Sequence, residues 1–128
     1  MTKGQIEDVI TKRAIKFYFD TIGTGPEKAK TYIVEDMLIV RLKGNLLPIE
    51  QKLLSSSKGV HLVKNIRQNL HKVTIEEVSK LIKEITGQDV ISAHSDVSTK
   101  TGEVIEIFIL NNNSSWMVQC DFRYFNLS

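Results

Sequence analysis

Apolar residues along the chain recur with two alternating periods, and the switches between them mark the elements. From residue 3 to 21, Ile6, Val9, Ile10, Ala14 and Phe17 fall at helical spacings, forming one stripe of an amphipathic helix. Thr2 stands where an N-cap belongs, since its hydroxyl can accept an orphan backbone N–H. Gly23, Gly25 and Pro26 end the segment. The period then drops to that of a strand. Lys30 to Val34 and Met37 to Lys43 are β-rich runs around Glu35-Asp36, which predicts a hairpin with a tight acidic turn. Leu38, Val40 and Leu42 share one face of the second run, and Met37, Ile39, Arg41 and Lys43 share the other.

Gly44 ends that strand, and Pro48 can occupy the first turn of a helix, so PIEQKLL reads as a short helix that breaks near SSSKG. A long helical pattern follows from Val60 to Ile85, carried by Val63, Ile66, Leu70, Val73, Val78, Leu81, Ile82 and Ile85. Its β-branched stretch at Val73-Thr74-Ile75 is where a bend is expected, and Thr86-Gly87 supplies the stop. Val90 to Ser98 and Glu103 to Leu110 read as two further strands joined by Lys100-Thr101-Gly102. Ile105, Ile107 and Ile109 are expected on the inner face of the second, opposite Ile91, Ala93 and Val97. After NNNSS, Trp116, Val118, Cys120, Phe122 and Tyr124 alternate with more polar positions, as in a fifth strand.

The order α-ββ-α-ββ, with that extra strand, predicts an α+β two-layer sandwich with helices on one face of an antiparallel sheet. Residues 1–110 form the domain and 111–128 a C-terminal tail. The other sheet face stays partly open.

Composition narrows the setting without naming a function. The 128 residues, 41% hydrophobic and 25% charged, suit one globular domain that buries its own core. A net charge of +2 is too weak to argue for nucleic acid by itself. Cys120 stands alone, so no internal disulfide forms and the chain reads as cytoplasmic. The N-terminal MTKGQIEDVITKR carries acids and no long apolar run, unlike a signal peptide. No apolar stretch approaches the roughly 18 residues of a membrane span, so a membrane role has to be peripheral.

The densest chemistry lies in HSDVSTKTGE, residues 94–103. Strand alternation points Ser92, His94, Asp96 and Ser98 the same way, and the expected sheet adds Arg41 and Glu106 to that face. A Ser-His-Asp triad is excluded by spacing: neighbours on one strand face stand about 6.5–7 Å apart, whereas a base must come within about 3 Å of its nucleophile. His61, His71 and His94 have no metal-ligand spacing, so neither metal nor cofactor is expected. The STKTG turn lacks the GxxxxGK[ST] pattern and is better explained by hairpin closure. GTGP at 23–26 is a helix stop and not a completed GxGxxG. A weak basic stripe at Lys64, Arg67 and Lys72 leaves a small nucleic-acid-binding module as the alternative reading.

The stretches TYIVEDMLIVRLKGNLLPIEQKL and EITGQDVISAHSDVSTKTGEVIEIFIL, with KGQIEDVI and IGTGP before them, resemble the MpsC family, as a short single-domain member of the Bacillus type. The likeness runs from about residue 3 to 110. It implies a small component, with no established reaction, of a sodium-translocating, membrane-potential-generating system linked to bicarbonate uptake. Its family-like positions include Gly23, Gly25, Pro26, Arg41 to Gly44 and the 94–102 segment. The expectation is therefore an accessory protein and not an enzyme, which binds a protein partner or a small anion. Candidate binding residues are Arg41, Lys43, His94, Asp96, Ser98, Thr99, Lys100 and Thr101. Partners would come from a membrane transport complex, and an open sheet edge is also compatible with a homodimer.

Overall fold

A computed structural model describes residues 2–111. The helix α1 spans Lys3–Ile22, β1 Lys28–Val34, β2 Met37–Lys43, α2 Pro48–Leu53, α3 Ser57–Thr86, β3 Val90–Val97 and β4 Val104–Leu110. The four strands form one antiparallel sheet in the order β1-β2-β4-β3. Helix α1 lies along β1 and α3 along β3, touching each other over the same sheet face. This is the expected α-ββ-α-ββ two-layer sandwich. The anticipated fifth strand falls outside the described residues.

Local signals set the element ends. Thr2 caps α1 in a reciprocal box: its Oγ1 accepts from Gln5 N–H at 3.2 Å, and Gln5 Oε1 accepts from Thr2 N–H at 2.8 Å. Gly23 and Gly87 close α1 and α3 in the left-handed conformation. The Glu35-Asp36 turn is as tight as predicted, with Glu35 held at φ 56°. The Glu7 carboxylate of α1 accepts from the Ile33 N–H at 2.8 Å, which ties the helix to edge strand β1.

Helix α3 is longer than its apolar pattern announced. It begins at Ser57, capped by Ser56 Oγ accepting from Gly59 N–H at 3.0 Å, and runs unbroken for 30 residues. At the expected bend, Thr74 donates its hydroxyl to the Leu70 carbonyl at 2.7 Å and helical hydrogen bonding continues. The corner between α2 and α3 requires glycine. A Cβ on Gly59 would stand 1.8 Å from the Leu53 carbonyl oxygen. Of the predicted stripe, Val63, Ile82 and Ile85 are buried, whereas Ile66 and Val73 point outward, Val73 being 82% exposed.

The core gathers Ile6, Val9 and Ile10 of α1, Leu38, Val40 and Leu42 of β2, and Val104, Phe108 and Leu110 of β4. The β4 parity is therefore the reverse of the expectation. Its register with β2 pairs Leu42 with Val104, Val40 with Glu106 and Leu38 with Phe108, so these side chains face the helices. Ile105, Ile107 and Ile109 turn to the open face. Ile91 is a second correction. A register shift between Val90 and Ser92 takes it out of the ladder, and it is 65% exposed. Ala93 and Val97 face the helices as expected.

Candidate functional site

The ladder registers arrange the open face in rows across the sheet. One row reads Val34, Met37, Ile109 and Ser92; the next Tyr32, Ile39, Ile107 and His94; the third Lys30, Arg41, Ile105 and Asp96. Lys28 and Lys43 face each other at the end of β1 and β2. No described helix covers this side. The result is an isoleucine stripe over the central strands, with cations at one end and His94 and Asp96 along one edge.

The candidate residues do not form one site. Arg41 and Asp96 flank Ile105 from opposite sides, roughly 10 Å apart across two strand spacings. Arg41 instead grips Glu103, Nη2 lying 3.0 Å from Oε2. That hydrogen bond, and then the carboxylate charge, raise the Arg41 pKa. Asp96 meets Lys64 of α3 at 3.4 Å around the sheet edge and accepts from its neighbour Val97 N–H at 2.9 Å. His94 is exposed beside Ile107.

Ser98, Thr99, Lys100 and Thr101 belong to the turn, and the hydroxyls of two of them are already engaged. Ser98 Oγ accepts from Thr101 N–H at 3.2 Å, and Thr101 Oγ1 accepts from Glu103 N–H at 3.3 Å. Gly102, at φ 74°, donates its N–H to the Ser98 carbonyl at 2.8 Å. The turn spends these groups on its own closure. Ser98 accordingly leaves the strand face on which simple alternation placed it.

Glu106 is the clearest miss among the polar residues. It points between sheet and helices, where its Oε1 lies 3.6 Å from His71 Nδ1. Tyr18 is buried beside it. Burial, followed by the charge and hydrogen bond of Glu106, pushes the Tyr18 phenol pKa far above its ordinary value. A cavity of about 20 Å³ lies among Tyr18, Arg67, His71, Ser95 and Glu106, with room for about one water.

Arg67, expected on a basic surface stripe, is buried instead. Its Nε and Nη2 donate to Glu50 Oε2 and Oε1 at 2.8 and 2.6 Å, and Nη2 also donates to the Asn45 carbonyl at 2.7 Å. Burial alone would raise the Glu50 carboxyl pKa. The Arg67 hydrogen bonds, the Leu47 N–H and the Arg67 charge outweigh it and hold the group below its ordinary value. Arg67 is therefore lost from the surface stripe, while Lys64 pairs with Asp96 across 3.4 Å and Lys72 stays exposed. The position of Glu50 two residues after Pro48 was the available signal, because a glutamate there can cap its own helix start.

No group of three or more His, Cys, Asp or Glu side chains among the described residues is placed to hold a metal ion. No helix among them is long and apolar enough to cross a membrane.

Fold and face together define a small α+β domain with one helix-covered and one open sheet surface. The chain belongs to the family described as the Na+-translocating membrane potential-generating system (MpsC), which it matches over residues 2–112. It is similar to the uncharacterized protein YbcI of Bacillus subtilis strain 168, with 39% identity over 88% of this chain and 90% of that protein. It is also similar to the uncharacterized protein YrhF of the same strain, with 24% identity over 84% of this chain and 85% of that one. No solved structure gives a significant match.

Proposed function

We propose that the protein is a non-catalytic accessory component of the membrane-associated system from which its family takes its description. It works in the cytoplasm at the membrane periphery, beside sodium or bicarbonate transport, by docking a protein partner through the open sheet face. The isoleucine stripe carries this reading. Ile105, Ile107 and Ile109 turn away from the core, and together with Ile39 and Met37 they form a contiguous apolar surface on the two central strands. The flanking charges give that surface a polarity. The occupant that fits is a partner segment with apolar side chains over the stripe and acidic ones toward Arg41 and Lys43.

The test uses cells lacking the gene and reads the sodium-dependent membrane potential with a dye. Wild type and Lys72→Glu, which alters an exposed residue of α3, are expected to restore the potential. Ile107→Glu, folded by circular dichroism, is expected to fail. Full restoration by Ile107→Glu overturns the reading. Light scattering that finds a dimer broken by the same substitution assigns the face to a second copy. Tighter membrane association of a chain ending at Asn111 assigns it to the chain's own C-terminal segment. Either result displaces the protein partner.

A further inference from the structure

The β1–β2 end of the open face carries a second feature, which does not depend on the isoleucine stripe. The antiparallel register sets Lys28 directly opposite Lys43, and Lys30 directly opposite Arg41, all four on the open side. Like charges facing each other across a strand pair destabilise it. Neighbours do not cancel the excess. Glu103 pairs with Arg41, but no ion pair reaches Lys28, Lys30 or Lys43 among the described residues. The nearby Glu27 lies against Gly44. Lys30 Nζ instead sits 5.9 Å from the centre of the Tyr32 ring.

Lysines on an edge strand often serve only to block pairing with another sheet. That explains Lys28 and Lys30 on β1, which is an edge. It does not explain Arg41 and Lys43, because β2 is an interior strand with β4 on its other side. The four cations and Tyr32, with Ala29, line an open cleft of about 380 Å³, a volume within the range of small-ligand sites. Strand spacing and side-chain period put their Cα positions at the corners of a rectangle of roughly 5 by 7 Å. Four cationic heads above so small an area suit a ligand that carries several charged oxygens. Glu103 holds the Arg41 guanidinium by Nε and Nη2, at 3.4 and 3.0 Å, and Tyr32 interacts with it as well, so Arg41 brings charge to the cleft from a fixed position. The three lysines act as mobile point charges.

We propose that Lys28, Lys30, Arg41 and Lys43 form a binding site for clustered phosphate, two or more negative charges presented together. That charge can come from a free phosphoanhydride or from neighbouring singly charged headgroups at a bilayer surface, and the two arms of the test separate these sources. One arm titrates inorganic pyrophosphate by calorimetry at low ionic strength. The other measures co-sedimentation with phosphatidylglycerol vesicles against phosphatidylcholine vesicles. The wild type is expected to bind in at least one arm. Lys28→Gln/Lys43→Gln is expected to bind about tenfold more weakly in that arm, from the loss of two solvent-exposed ionic contacts. The doubly substituted chain should also melt at or above the wild-type temperature, since like-charge repulsion is relieved. A folding defect is thereby separated from a binding defect. Pyrophosphate binding with vesicle indifference assigns the free anion, and the reverse assigns the headgroup. Absence of binding in both arms overturns the proposal. So does binding unaffected by Lys28→Gln/Lys43→Gln, or an effect reproduced by sodium chloride at matched ionic strength. Lys43 also flanks the docking face, but both arms use the purified chain with no partner protein present and leave every isoleucine of the stripe in place, so failure here and failure of partner docking are read separately.

Discussion

Replacing Arg67 by methionine is expected to be among the most damaging changes outside the apolar core. The side chain is 8% exposed and its partner Glu50 5%. Two of its hydrogen bonds go to the Glu50 carboxylate and one to the Asn45 carbonyl, so it joins α3 to α2 and to the loop after β2. Removing one partner of a buried ion pair typically costs about 3–5 kcal/mol, because the other charge stays desolvated and unpaired. Against a total stability of about 5–15 kcal/mol for an ordinary domain, this is a large fraction. The melting temperature should fall by roughly 10–20 °C. Glu50→Gln/Arg67→Met removes both charges and should cost less than the two single changes summed, by about 2 kcal/mol or more. Urea unfolding followed by far-ultraviolet circular dichroism gives the three free energies, provided the slope with denaturant is unchanged. The pair also sets an acid limit. Glu50 has a lowered pKa in the folded protein, so its contribution is complete above the ordinary carboxylate range. It is lost as pH falls through the lowered value, and Arg67→Met should flatten that part of the pH–stability curve. A loss below about 1 kcal/mol for Arg67→Met, or additivity within about 0.5 kcal/mol, would refute the reasoning.

Gly59→Ala should destabilise by about 1–3 kcal/mol or more in the same urea assay, since its Cβ would overlap the Leu53 carbonyl and force the α2–α3 corner apart. An unchanged midpoint would mean that the corner yields freely. Glu35→Asn should stabilise by about 0.5 kcal/mol, because Glu35 holds a left-handed φ of 56° that asparagine tolerates better. A thermal melt that moves downward would contradict this.

The elements were legible because each is announced by local chemistry. The Thr2 cap, the Gly23 and Gly87 stops and the Glu35-Asp36 turn lie where the sequence places them. Facing was harder. In VIEIFIL every position but one is apolar, so the single glutamate looks like the mark of a solvent face. In the fold that glutamate points inward beside Tyr18 and His71, and Phe108 goes with it into the core. Only the pairing of β4 with β2 decides the matter, and pairing between strands so far apart in the chain leaves no local trace. Ile91 misled for a related reason, since a bulge resets strand parity. Arg67 looked like a surface cation because nothing near it in the chain reveals Glu50, which is 17 residues away. The candidate site was legible in part. Arg41, Lys43, His94 and Asp96 share the open face, but the hydroxyls of Ser98 and Thr101 serve the turn. Lys28 and Lys30 escaped notice because their meaning lies in the register opposite Lys43 and Arg41.

The central claim, that the open sheet face docks a protein partner, is tested most directly by a photo-reactive amino acid placed at Ile107 in living cells. A second chain carries it at Lys72 on the helical side. The account predicts one discrete heterologous adduct from position 107 in the membrane fraction, abolished by Ile39→Glu in the neighbouring row position. Position 72 should give none. An adduct from position 72 with none from position 107 would contradict the account, and so would a position-107 adduct that contains only copies of this chain.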